Sequence, residues 1–301
     1  MTNGYRALRE SAAKIDLSAR GRIRVTGDDR ARLLHAMTTN DVGGLKPGSG
    51  CYAFFLNAQG RILADAVILC FEDSLLLDTE PESRGFLMEH LDKYIIADDV
   101  VLEDVTDSVR EIAIEGPQAA DFLSTTPGTP FSHTTHGGLT VVRASTAGEC
   151  GFRVLGSGAL PDVPNVDADD VNVVRHENFF PRYGEDISSS SLPQETGITT
   201  ALHFSKGCYL GQEIVERVRS RGHVNRMLMG LSLDGDAAVG KGTKVVYEDA
   251  EVGEVTSAAF SPAVGKTFAM GYLRVVAAKP GTIVQVDGRP AQVSAIKSSR
   301  T

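Results

Sequence analysis

The C-terminal part of the chain, residues 227–301, carries the pattern that most restricts the fold. Short segments of apolar and β-forming residues follow one another about every ten residues, the spacing of small all-β domains. They read RMLMGLSLDG, GTKVVYED, EVGEVTSAAF, TFAMGYLR and GTIVQVDGRPAQVSAI, with Gly, Asp and Pro between them. The 3.6-residue period of an amphipathic helix is nearly absent. This pattern predicts a compact, mostly β unit, either a small barrel or a sandwich.

Residues 1–226 differ because strand patterns and helix patterns alternate there. Residues 51–71 contain two apolar runs on either side of the turn sequence Asn57–Gly60, which predicts a β-hairpin. Residues 156–170 are rich in Gly, Pro and Asp and predict a loop. Strands mixed with helices in this order predict an α+β fold. The change of pattern places a domain boundary near Arg226.

Composition and charge exclude several classes of protein. The chain is 42% hydrophobic with a mean hydropathy of −0.08, so it can form a core and is not disordered by composition. No apolar run approaches the ~20 residues of a transmembrane helix. The N-terminus, MTNGYRALRE, lacks a signal pattern, so we expect a soluble cytoplasmic protein without a membrane partner. A net charge of −9 disfavours a nucleic-acid partner.

The cysteines and one basic segment add local constraints. The four cysteines are far apart, with no CxxC and no histidine at finger spacing, so no metal site is expected and reduced thiols are favoured. Residues 203–226 carry more basic than acidic side chains in an otherwise acidic protein, which makes them a candidate anion site. The alternative is a solvated helix face with Glu213 and Arg217 as an i,i+4 pair.

The segment HFSKGCYLGQEIVER (203–217) places Cys208 between Lys206 and a predicted helix. Glycines at 207 and 211 flank the thiol and allow close approach of a ligand. Free N–H groups and the dipole favour an anion at a helix N-terminus, and Lys206 adds a positive charge. Both effects lower a thiol pKa from its ordinary value of about 8.5, so we expect a reactive Cys208 with Lys206 beside it. The alternative is a buried, inert cysteine.

Two acidic residues occupy positions that suggest ligand contacts. In RILADAVIL, strand alternation places Asp65 on an otherwise apolar face, where a carboxylate needs a partner or a ligand. In STAGECG, Gly148 and Gly151 bracket Glu149 in a predicted tight turn, where it could accept hydrogen bonds from an aminopyrimidine. The alternatives are purely structural. Asp65 would be buried with its hydrogen bonds satisfied by the protein, and Glu149 would be an exposed residue of the turn.

The motif around Cys208 resembles the signature of a known family. KGCYLGQE is similar to K-G-C-[FY]-x-G-Q-E of the YgfZ family of folate-binding proteins, which is related to a mitochondrial iron–sulfur assembly factor. TTNDVGGLKPGSGCYAFFLNAQGRILADAVIL, YGEDI with LPQETG, and GEVTSAAFSP with AMGYLR resemble the wider glycine-cleavage T-protein superfamily. The resemblance covers nearly the whole chain. It implies three subdomains around a central cavity that holds folate, the last being a small C-terminal β-barrel.

The resemblance also implies a site, a cofactor and partners. Cys208 and Lys206 would carry the catalytic chemistry. The cofactor would be tetrahydrofolate or a one-carbon derivative, and the residues expected to bind it are Asp65, Glu149, Arg175, Tyr183 and Arg217. The expected partners are a reduced folate, with or without a polyglutamate tail, and iron–sulfur proteins or assembly factors.

Departures from the T-protein pattern separate the possible functions. T-proteins carry an Asp-Asp pair where this chain keeps Asp65 alone, a tyrosine where it has Thr146, and no motif cysteine. These differences favour a tetrahydrofolate-binding accessory protein that supports assembly or repair of iron–sulfur clusters. One alternative is a folate-dependent aminomethyltransferase or demethylase that uses Asp65. Another is a Cys/His hydrolase that uses Cys208 with His203 or His223.

Overall fold

The fold consists of two five-stranded sheets with helices packed on them and a closed β-barrel. It was obtained as a computed structural model, which describes residues 2–298. The α-helices are α1 (Asn3–Glu10), α2 (Arg30–Met37), α3 (Arg84–Asp92), α4 (Ala168–Glu177) and α5 (Gln212–Arg221). The strands before the barrel are β1 (Ala13–Asp16), β2 (Gly21–Thr26), β3 (Gly50–Leu56), β4 (Ile62–Cys70), β5 (Leu75–Thr79), β6 (Val101–Asp104), β7 (Glu111–Glu115), β8 (His133–His136), β9 (Leu139–Val142) and β10 (Gly151–Gly156). Within residues 2–298, no helix has both the length and the apolar character that crossing a membrane requires.

The first sheet has the strand order β3-β4-β5-β2-β6 and is built on the predicted hairpin. β3 and β4 pair antiparallel, and Asn57 Oδ1 closes the turn by accepting hydrogen bonds from the N–H groups of Gln59 and Arg61. The register places Phe54 opposite Asp65. Apolar side chains of α2 and α3 pack against one face of the sheet. The hairpin prediction is confirmed.

The second sheet has the order β1-β7-β10-β9-β8, and some of its parts had no clear signal in the sequence. β1 and β8 are four-residue edge strands, too short to show a period of their own. Helix α4 begins at Ala168, inside the segment predicted to be a loop. Tyr5 of α1 and Val174 of α4 share an apolar cluster with β1, so tertiary packing stabilises these short elements.

The C-terminal unit is a closed barrel with the strand order β11-β14-β13-β12-β15-β16. Its strands are β11 (Arg226–Asp234), β12 (Lys244–Tyr247), β13 (Ala250–Ser261), β14 (Lys266–Arg274), β15 (Ile283–Val286) and β16 (Arg289–Ala295). Its interior is filled by Leu231, Val245 and Leu273 with other aliphatic side chains. The predicted small β-barrel is confirmed, and the predicted range extends past the described residues at 299–301.

Helix α5 begins later than the sequence suggested. Its first residue is Gln212, and its N-cap is Gly211 in the left-handed conformation at φ 81°. A Cβ at Gly211 would lie 2.5 Å from the Asn57 carbonyl oxygen, so glycine is required where the chain passes the hairpin turn. Cys208 therefore lies in the loop before α5 and not at the start of the helix, which corrects the prediction.

Candidate functional site

A cavity of about 430 Å³ lies between β1, α4 and residues 180–182. Its apolar lining includes Leu17, Val171 and Phe180. Its charged lining consists of Arg20, Arg153, Arg175, Arg182, Asp16 and Glu80. Small-molecule sites typically measure ~300–1,000 Å³. An apolar chamber with charged groups in its wall suits a partly apolar ligand that also carries a charged group.

Buried ion pairs hold the arginines of this cavity in place. Arg20 lies 2.6 Å from both Asp78 and Glu80, and Arg182 lies 3.0 Å from Glu80. Arg153 pairs with the other carboxylate oxygen of Asp78. Burial raises the pKa values of Asp78 and Glu80, but the arginine charges outweigh it and hold both below their ordinary values. The cavity wall is therefore a charged, internally paired network at neutral pH.

Asp65 lies on β4 and is nearly solvent-free, with 3% exposure. The Tyr52 hydroxyl donates a hydrogen bond to Asp65 Oδ2 at 2.5 Å. The Tyr183 hydroxyl donates to the Leu63 carbonyl, and burial followed by the Asp65 charge raises the pKa of Tyr183 to about 12. The structure thus brings together Asp65 and Tyr183, two of the predicted folate contacts, with Tyr52 as a third polar group.

Glu149 lies in the turn before β10. It forms an ion pair with Arg9 of α1 and accepts a 3.1 Å hydrogen bond from Asn178 Nδ2. Glu115, buried beneath the turn, accepts from two backbone N–H groups of the turn, including that of Thr146. Thr146 lines the cavity, so the turn borders it, while the Glu149 carboxylate is engaged by protein groups. Its contact with folate stays a prediction.

Arg175 lines the cavity, but protein acceptors occupy its terminal nitrogens. Its Nη1 donates to Asp186 at 2.7 Å and to the Phe180 carbonyl at 3.1 Å. Its Nη2 donates to Glu185 at 2.8 Å and to Asn172 at 3.2 Å. Arg175 therefore shapes the cavity wall, and direct folate binding by Arg175 stays a prediction.

Cys208 is exposed in a loop whose backbone is fixed before and after the thiol. The His203 N–H donates to the Thr39 carbonyl at 3.0 Å, and the Leu210 N–H donates to the Ala36 carbonyl at 2.9 Å. Both acceptors belong to the C-terminal end of α2 or the residues just after it. The sulfur is thus presented to solvent on an anchored segment.

Lys206 makes contacts that the sequence did not indicate. Its ammonium donates to the His35 carbonyl and, at 2.7 Å, to the Thr38 carbonyl, and it lies 4.9 Å from the centre of the Tyr209 ring. Cations are favoured at helix C-termini, so this contact stabilises the end of α2. Burial lowers the pKa of Lys206 to about 8. The ammonium is thereby directed toward α2, and its predicted role beside a thiolate stays a prediction.

Arg217 forms the i,i+4 ion pair with Glu213 on a solvated helix face, which was the alternative to an anion site in the sequence analysis. It pairs with Glu213 at 2.8 Å on the solvent side of α5, where the side chain is 63% exposed. Arg219 of the same helix lies 4.5 Å from the centre of the Phe204 ring. Neither residue lines the cavity. Folate binding by Arg217 stays a prediction.

The four thiols have different environments. Cys51 is buried, and burial raises its pKa to about 12. Burial also raises the pKa of the half-buried Cys70. Cys150 and Cys208 are exposed. Reagents in solution can therefore reach these last two most readily.

Comparison with known proteins accounts for this architecture. Residues 1–158 match the GCVT N-terminal domain, and residues 226–300 match the glycine cleavage T-protein C-terminal barrel domain. The chain belongs to the glycine cleavage T-protein family.

Relatives of this T-protein family member extend over most of its length. An aminomethyltransferase of Rippkaea orientalis is 27% identical, over 97% of this chain and 86% of that protein. A chloroplastic protein of Arabidopsis thaliana, named as a transferase, is 28% identical over 90% of this chain and 67% of that protein. The crystal structure of the glycine cleavage system aminomethyltransferase T from Bartonella henselae matches with a TM-score of 0.83 at 22% identity, over 99% of this chain and 89% of that one. The predicted α+β T-protein fold with its C-terminal β-barrel is confirmed.

In this chain, sequence reasoning missed the charged cavity residues Arg20, Glu80, Arg153 and Arg182. A usable signal was present for Arg153, because the strand containing GFRVL carries this charged residue within an apolar run. Arg20, Glu80 and Arg182 lie outside the strands and had no such signal. The same signal drew attention to Asp65. A charge in a strand indicates burial of that charge, but only the fold shows which charges share a wall.

Proposed function

We propose that the protein binds a reduced folate, either tetrahydrofolate or a one-carbon derivative, in the arginine-lined cavity. The volume of about 430 Å³ accommodates an aromatic pteroyl group, and Phe180 with the aliphatic lining would contact it. Arg182, whose side chain is partly exposed, would hold a carboxylate of the glutamate portion through charge-assisted hydrogen bonds. The bound folate would act as the carrier of a one-carbon group. Asp65 and Tyr183 would supply further polar contacts to the ligand.

We further propose that the protein belongs to the YgfZ branch of the family and supports assembly or repair of iron–sulfur clusters. The observation that carries this proposal is the exposed Cys208 on a loop anchored to α2. A thiolate presented in this way can bridge transiently to a cluster that a partner protein carries. The partners would be iron–sulfur proteins or assembly factors in the cytoplasm, without nucleic acid or membrane.

Complementation tests the role of the thiol. In a cell lacking its own protein of this type, Cys208→Ser should fail to restore iron–sulfur enzyme activity while leaving folate affinity unchanged. Cys150→Ser is the matched control, because Cys150 is also exposed but lies outside the motif. Full restoration by Cys208→Ser, or equal loss in both variants, would contradict the proposal.

Calorimetric titration tests the cavity. Tetrahydrofolate and a polyglutamylated analogue should both bind, and the analogue should bind more tightly at low salt because exposed charges are screened within ~8 Å at physiological ionic strength. Equal affinity for the two folates at low salt would show that the cavity arginines do not recognise the polyglutamate tail.

A second candidate function is folate-dependent aminomethyl transfer. Two observations favour it: relatives named aminomethyltransferase match nearly the whole chain, and Asp65 keeps a buried, hydrogen-bonded carboxylate. Under this alternative, the protein would turn over with an aminomethyl-loaded lipoyl carrier protein and tetrahydrofolate, and Asp65→Asn would abolish turnover. Absence of turnover with active carrier protein would favour the accessory function.

A further inference from the structure

His35, at the C-terminal end of α2, connects the Cys208 loop to a second loop. Its Nε2 lies 2.7 Å from the Lys206 carbonyl oxygen. Its Nδ1 lies 3.0 Å from the Gly43 backbone nitrogen and 3.2 Å from Asp41 Oδ1. One imidazole therefore joins residues that are far apart in the sequence.

The two contacts define which ring nitrogen carries the proton. The Gly43 N–H can only donate, so the Nδ1 atom that it contacts is the acceptor. The proton of the neutral ring then lies on Nε2 and is donated to the Lys206 carbonyl. Asp41 Oδ1 already accepts the Gly44 N–H at 3.0 Å. The neutral ring thus satisfies both loops at once.

The hydrogen bond to the Lys206 carbonyl fixes the backbone just before Cys208. The next residue, Gly207, has φ 95° and open space where a side chain would be, so its own packing does not fix the chain there. On the other side of the thiol, the Leu210 N–H is held by the Ala36 carbonyl. Cys208 therefore lies between an anchor supplied by a side chain and an anchor supplied by backbone.

We infer that His35 is a positioning residue for Cys208, which it holds through the Nε2–H bond to the Lys206 carbonyl. The inference rests on the proposed function in one respect, namely that Cys208 is the working thiol. His35 itself does not line the folate cavity. Losing the bond should loosen the backbone at Lys206 and Gly207, because only the flexible Lys206 side chain would then tie this point to α2, and the thiol would stay exposed but be less firmly oriented.

The test uses the reach of two amide side chains in the full-length protein. Glutamine can place an N–H donor near the Nε2 position, whereas the shorter asparagine reaches only the Nδ1 position. We expect His35→Asn and His35→Ala to speed hydrogen exchange in the 203–211 segment about fivefold, the effect of one ordinary hydrogen bond. His35→Gln should restore exchange to within about twofold of the parent. Complementation of iron–sulfur enzyme activity should follow the same order, with folate affinity unchanged in all three variants.

Two results would overturn the inference. One is parental exchange and full complementation in His35→Ala; the other is a His35→Gln variant as impaired as His35→Asn. A difference between these two amide variants cannot come from general misfolding if their thermal midpoints agree. The proposed function fails separately, through full complementation by Cys208→Ser, and in that case the exchange measurement alone still judges the anchor.

Discussion

Arg175 and Asp186 form an ion pair of 2.7 Å that is almost wholly shielded from solvent. The second oxygen of Asp186 accepts hydrogen bonds from the hydroxyl groups of Thr256, at 2.8 Å, and of Ser257. Both hydroxyls belong to barrel strand β13, whereas Arg175 lies on α4. One carboxylate thus connects the barrel to the part of the fold that contains α4.

Removal of this carboxylate should destabilise the protein strongly. Asp186→Ala leaves the Arg175 charge buried, and breaking a buried ion pair from one side costs about 3 kcal/mol or more in the free energy of unfolding. Glu185→Ala is the matched control, because Glu185 also contacts Arg175 but is 35% exposed, so its loss should cost at most about 1 kcal/mol. The chain has no tryptophan, so urea unfolding is followed by circular dichroism. Equal losses would contradict the assignment of Asp186.

The free energy of unfolding should fall as the pH is lowered, because His176 is held neutral in the folded protein. Burial, followed by the Arg175 guanidinium, lowers the pKa of His176 to about 4. Below about pH 6.5 the unfolded chain therefore binds a proton that the folded chain does not, and about 3 kcal/mol is lost progressively down to about pH 4. The ring contacts the Asn172 carbonyl and the Ser257 hydroxyl, so His176→Gln can keep polar contacts without titrating.

The measurement for His176 is the difference between parent and variant unfolding free energies at pH 7 and pH 4.5. Glu111 and Glu115 act with the opposite sign. Burial raises the pKa of each to about 7, so the folded chain takes up protons there before the unfolded chain does, and stability rises as the pH falls. Comparing the two proteins cancels that contribution. A difference that does not change with pH would mean that His176 is not the responsible group.

The cysteines should react with iodoacetamide in two groups. Cys208 and Cys150 are exposed and should react first. Cys51 should react at least about a hundredfold more slowly, because burial raises its pKa to about 12 and little thiolate is present at pH 8. Mass spectrometry of the native protein over time gives the order. Faster labelling of Cys51 than of Cys208 would show that the loop is not presented as described.

The cavity arginines should matter more for folate than the arginines of α5. Arg182 lines the cavity with a partly exposed side chain, so Arg182→Gln should weaken binding of a polyglutamyl folate about tenfold, the loss of one charge-assisted hydrogen bond. Arg217→Gln removes the same charge from the outer face of α5 and should leave affinity nearly unchanged. If calorimetry instead shows the larger loss in Arg217→Gln, the tail binds on α5 and the sequence-based assignment of Arg217 is correct.

Features encoded by short stretches were determined by the sequence itself. The β3–β4 hairpin follows from two apolar runs around a turn that Asn57 closes with its own side chain. The barrel follows from strands separated by turn residues, because period and turn chemistry act within about ten residues. The motif around Cys208, and the interruption of an apolar face by Asp65, were also visible without a fold.

The tertiary structure alone decided the partners of the charged and polar groups. Lys206 acts on the end of α2 and His35 holds the Lys206 carbonyl, although the two residues are 171 positions apart. Asp186 finds its hydroxyl donors on a barrel strand about seventy residues later. A buried charge needs a partner at hydrogen-bond distance, but sequence periodicity specifies only which face a side chain occupies. Which two faces meet depends on how the chain crosses between sheets and barrel, and that is settled by the packing of the whole molecule.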